Sequence, residues 1–107
     1  MSRIARSTEP LYQTRGRPVS QTFEHRQPDG TPTDLTGAAA VARLCWAGAE
    51  RSLSVGPLDA SGDIVVSGAD ALTADLPLGR VNEMRLTITD SQGAIEDIVY
   101  PVVGEAP

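Results

Sequence analysis

From Leu78 to Val103 the alternation of apolar and polar residues reads as one β-hairpin. Met84, Leu86 and Ile88 alternate with Glu83, Arg85, Thr87 and Thr89, the period of two expected of a half-buried strand. Asp90-Ser91-Gln92-Gly93 supplies a turn, with glycine where a positive φ is needed. A second apolar run rich in β-branched residues follows from Ile95 to Val103. This hairpin sets the fold class as all-β.

The rest of the chain fits the same pattern. Val19 to Arg26 alternates, with Val19, Gln21, Phe23 and His25 on one face. Residues 27–32 form a Pro- and Gly-bearing loop, and Asp34-Leu35-Thr36-Gly37 tucks one leucine inward before the next strand. Ala38 to Ala47 has an alanine content that favours helix, but Gly37 and Gly48 bound it tightly and its neighbours are strands. It is therefore expected to be a strand with Ala40, Ala42, Leu44 and Trp46 on one face. Glu50 to Val55 and Asp63 to Ser67 give two shorter strands, the latter with Ile64 and Val66 inward. Ala69 to Asp75 fits a single helical or 3₁₀ turn that Pro77 closes. About six or seven strands at this spacing predict an antiparallel sandwich rather than βαβ units.

Gly30-Thr31-Pro32-Thr33-Asp34-Leu35-Thr36-Gly37, then Thr73-Ala74-Asp75-Leu76-Pro77-Leu78-Gly79-Arg80, then the strand ending in Asp90-Ser91-Gln92-Gly93, occur in a familiar order. In this order the chain resembles the immunoglobulin-like β-sandwich domains of tailed-phage virion proteins, such as the N-terminal domain of upper baseplate proteins and related tail or fibre modules. The resemblance covers roughly residues 19–103. It implies an Ig-like sandwich with a structural or attachment role in a phage or phage-like particle, at a tail, baseplate, fibre or head spike. It also implies other virion structural proteins as partners, homo-oligomerisation within a symmetric particle, and localisation in the virion after assembly in the host cytoplasm. The chain ends at Pro107, so no downstream fibre or receptor-binding domain is expected.

Charge divides the chain into two parts. All nine basic residues are arginine, and the net charge is −5. Residues 1–17 carry Arg3, Arg6, Arg15 and Arg17 against Glu9 alone, a net +3, which leaves −8 on the remainder. The first 17 residues show no sustained period, so they are expected to form an extended docking arm, with the sandwich at 18–107 and no core position before Val19. Its candidate partner-binding residues are Arg3, Ile4, Arg6, Leu11, Tyr12, Arg15 and Arg17, whose apolar anchors favour protein docking over phosphate contacts. The acidic body argues against a grip on nucleic acid. No apolar run approaches the roughly 20 residues of a membrane span, and the N-terminus lacks a signal-peptide core, so folding in the cytoplasm is expected.

Catalytic chemistry is sparse. The single histidine, His25, has no nucleophile-elbow serine at the expected spacing, and a half-buried strand histidine is the better reading. Asp59, Asp63, Asp70 and Asp75 do not follow an EF-hand spacing and read as solvated turn acids. Glu96 and Asp97 are neighbours on a strand, so they face opposite ways and cannot form a dyad. Cys45 excludes an internal disulfide and is expected to be a small buried hydrophobe beside Trp46. No enzyme activity, metal or cofactor is expected. The alternative function is a carbohydrate- or host-surface-binding module, with Trp46 and Tyr100 as its only sugar-stacking groups.

Overall fold

A computed structural model describes residues 9–107 in full and the backbone of residues 2–6. Eight strands follow one another along the described residues: β1 (Ser2–Arg6), β2 (Leu11–Thr14), β3 (Val19–Glu24), β4 (Ala39–Trp46), β5 (Ala49–Val55), β6 (Asp63–Gly68), β7 (Gly79–Thr89) and β8 (Ile95–Glu105). A 3₁₀ turn at Asp70–Thr73 precedes β7. The fold is all-β and sandwich-like, curling almost into a barrel.

The β7–β8 hairpin is the spine. Its register pairs Met84 with Tyr100 and Leu86 with Ile98, so the inward residues of both strands share a face. Its turn forms because the Asp90 carboxylate accepts the backbone N–H groups of Gln92 and Ala94, both at 2.9 Å, while Gly93 takes φ 88°. β4 lies antiparallel to β7, and the alanine-rich segment is a strand as its glycine boundaries imply. As a strand it buries Ala42 and Leu44 completely. β5 pairs with β4 through Ala49–Leu53, then with β6 through Ser54 and Val55, and so passes from one layer to the other. β3 completes the second layer against β6.

Ile64, Val66, Leu44, Leu86 and Ile88 share one buried cluster, joined by Leu35 and Leu76 from the connecting loops. Each such aliphatic side chain contributes about 1.5–3 kcal/mol through burial. Phe23 and Tyr100 stack across the layers with ring centroids 4.6 Å apart, a geometry that adds to burial.

The N-terminal segment corrects one expectation. It is extended, but β1 and β2 both pair with β8, in parallel, which makes the sheet mixed. Leu11 packs against the core and Gln13 is buried, so core positions do precede Val19. The reason is hydrogen bonding that the apolar pattern does not carry. The Gln13 amide donates to the carbonyls of Thr14 and Arg17 at 3.0 and 3.1 Å, and the Thr73 hydroxyl donates to Arg17 at 2.7 Å. Four residues with one buried polar side chain carry no periodic signal, so alternation could not reveal the strand.

Cys45 is a second correction. It lies on the outer face of β4, opposite Leu44 and Trp46, and is only half-buried. Parity along the strand puts it there, among Arg43, Glu83 and Arg85. Burial, then the Glu50 carboxylate, push its thiol pKa up, so it is not an activated nucleophile.

Candidate functional site

Two regions carry the polar and exposed apolar groups from which a site could be built. The first is the N-terminal edge. On the backbone, Arg3, Ile4 and Arg6 pair with Glu96, Asp97 and Val99 of β8; their side chains lie outside the described residues. Leu11 is spent on the core. Arg15 is also spent inside the fold, its Nε donating to the Leu76 carbonyl at 2.8 Å and its amide to Glu105 at 2.9 Å. Leu11 and Arg15, both expected as partner contacts, are thus engaged within the fold. Tyr12, next to the buried Gln13, points the other way and is 56% exposed, and Arg17 is exposed at the following turn. Of the described candidates, these two remain open to a partner.

The second region lies where loop 27–38 meets the tip of the β7–β8 hairpin, at the end of β8 that β1 pairs. His25, just beyond β3, joins the two. Its Nε2 lies 2.6 Å from a Glu96 carboxylate oxygen and its Nδ1 lies 2.8 Å from the Thr33 hydroxyl. An ionised carboxylate only accepts, so Nε2–H donates to Glu96 while Nδ1 faces the Thr33 hydroxyl. Gly62 backs this clasp at φ 76°, its carbonyl accepting the His25 amide N–H at 2.8 Å. A Cβ at Gly62 would meet the His25 carbonyl oxygen at 2.5 Å. As alternation requires, Glu96 and Asp97 diverge: Asp97 turns outward to accept from Thr87.

A hydroxyl, an imidazole and a carboxylate in series have the connectivity of a hydrolytic relay, with the ring nitrogens exchanged. Yet the neighbouring amides that could stabilise an oxyanion are already used. Thr33 donates to His25, Leu35 to Asp59 and Thr36 to the Asp34 carboxylate, each at 3.0 Å. The arrangement holds two loops together. Next to it runs a groove of about 570 Å³, lined by Leu35, Ile88 and Ile95 and by Asp34, Asp90 and Glu96.

The turn acids behave as caps. Hydrogen bonds from Thr31, Thr36 and Ser61, side-chain bonds first and backbone second, lower the pKa of Asp29, Asp34 and Asp59 respectively. Asp75 pairs with Arg51 at 3.3 Å. No cluster of three or more metal-ligating side chains occurs among the described residues. The two sugar-stacking candidates are engaged within the fold: Tyr100 stacks on Phe23, and Arg51 covers the Trp46 ring at 5.1 Å.

The sequence did not reveal the His25–Glu96 clasp, whose members are 71 positions apart, nor the groove beside it. No family model and no curated protein matches the chain. Among solved structures it is similar to the N-terminal domain of phage TP901-1 ORF48, with 19% identity and a TM-score of 0.56 over 98% of this chain and 99% of that one. The likeness is one of fold, end to end, with a domain of a phage protein.

Proposed function

We propose that the chain is a non-enzymatic structural module of a phage or phage-like particle, part of a tail, baseplate, fibre or head-spike attachment, that docks on other virion proteins. The observation that carries this reading is the end-to-end fold likeness to a phage protein's N-terminal domain, which agrees with the virion-protein motifs of residues 30–37 and 73–93. The clasp at His25 supports it, because its hydrogen bonds are spent on holding loops. In this reading the sandwich is immunoglobulin-like, and it resides in the virion as one copy of a symmetric set.

Docking runs along the N-terminal edge. β1 and β2 border the sheet, and an open edge is a template for a further strand. Tyr12 is a large exposed anchor there and Arg17 a charge beside it, the residue types that commonly dominate interfaces. Arg3, Ile4 and Arg6 would extend the same contact. Mass spectrometry of gradient-purified particles tests the assignment: the chain is expected at a fixed ratio to known particle proteins, and its absence from intact particles would overturn it.

A further inference from the structure

The two ends of β7 present complementary surfaces. At its start the pairing with β8 breaks between Gly79 and Asn82, which leaves Arg80 and Val81 outside the ladder. Val81 is 63% exposed and Leu78 is 48% exposed, with the exposed Arg80 between them. Arg80 has no ion pair among the described residues. The result is a small exposed patch, or knob, apolar with one cation, whose Arg80 and Val81 also border a pocket with Cys45 and Trp46. A buried Asn82 side chain anchors its base, donating to the Pro77 carbonyl at 2.9 Å.

At the other end of the same strand lies the groove of about 570 Å³, lined by apolar side chains and by Asp34 and Asp90. An apolar slot that also carries carboxylates suits a side chain or ridge that is greasy with a cationic tip. The knob has that chemistry. The two cannot meet within one molecule: β7 has 11 residues, a span of roughly 33 Å at about 3.3 Å per residue, and the molecule is 38 Å long.

We propose that the Leu78–Val81 knob of one copy seats in the Asp34/Asp90-lined groove of a second copy, a head-to-tail contact between two different surfaces of the same chain. Such a contact is heterologous, so repeated copies close into a ring or extend as a file. It rests on reading the chain as a repeated particle component, and the knob lies one strand across β8 from Tyr12, since Gly79 pairs with Gly104 and Tyr12 with Val103.

Two exposed substitutions test it without touching the core. Val81→Glu spoils the knob and leaves the groove, whereas Ser91→Arg places a cation at the groove and leaves the knob. Analytical ultracentrifugation of the purified chain should show concentration-dependent association, weakened at least tenfold between 50 mM and 500 mM salt as screened charge contacts require. Each variant alone should remain monomeric. An equimolar mixture should form a dimer and nothing larger, because one good knob and one good groove remain between them. A wild-type chain that stays monomeric at millimolar concentration overturns the proposal. So does association that survives in either variant, or a mixture that fails to pair; a competing apolar or acidic partner would appear as such a failure. Particle mass spectrometry reads the virion assignment separately, so that either can fail while the other stands.

Discussion

Gly104 shows how far a single residue constrains this fold. It is buried on β8, and a Cβ there would run into the Pro77 carbonyl oxygen, the same oxygen that receives Asn82. The collision is with backbone, which cannot rotate away. Gly104→Ala should therefore destabilise the domain by about 1–3 kcal/mol, as overpacking of a tight site does, measurable as a lower urea midpoint with unchanged slope. His25 acts at the other end. His25→Ala removes the bonds to Thr33 and Glu96, a loss of about 1–3 kcal/mol for a partly buried charge-assisted pair. Thermal unfolding should report it, and amide exchange should rise in loop 27–38 and at the hairpin tip. A variant as stable as the parent would show that the clasp is incidental.

Among the elements, β2 has the most consequence for its size. Deletion of residues 1–16 takes away the Leu11 packing, the Gln13 bonds and the Arg15 contacts to Leu76 and Glu105. It also leaves β8 with an uncovered edge and the Thr73 carbonyl without the Gly16 amide. The truncated domain should be destabilised by about 2–5 kcal/mol, a large part of the total for a chain this short. A peptide of residues 1–17 added in trans should restore the melting temperature, since it can add back as a parallel strand. A truncated domain that melts unchanged would show that β2 contributes nothing. By contrast, Tyr12→Ala combined with Arg17→Glu alters only exposed side chains. That variant should melt within a degree or two of the parent and yet incorporate poorly into particles.

At the scale of the whole molecule, charge sets the acid limit of the loop end. Asp29, Asp34 and Asp59 have pKa values below the ordinary 3.8 because their ionised forms accept hydrogen bonds that the unfolded chain lacks. Their contribution is complete above the unfolded value and fades as pH falls through the lower folded one. In an NMR titration the amides of Thr31, Thr36 and Ser61 should shift together below pH 3.8, while β4 and β7 stay fixed. Loosening of these loops at pH 5 would contradict the sign. The same end holds the groove proposed to receive a second copy, so self-association should disappear in acid before the fold does.

The sequence by itself determined what a period of two and turn residues can encode. The six strands from Val19 onward, the inward set of Leu44, Ile64, Val66, Leu86 and Ile88, and the Asp90–Gly93 turn were all legible. Those features are local, fixed by which face of a pleated strand is apolar and by which residues accept a tight turn. Tertiary structure decided what depends on distant partners. β2 is a strand because β8 offers an edge and Gln13 finds carbonyls at its own turn. His25 has a role because the chain returns 71 positions later with Glu96. Cys45 faces outward because Leu44 and Trp46 take the core side. Opposite ends of β7 carry a knob and a groove because the bulge and the two loops converge only once the layers pack. Apart from Cys45, whose side follows from strand parity, none of these has a periodic trace, since each depends on contacts between segments far apart in the chain.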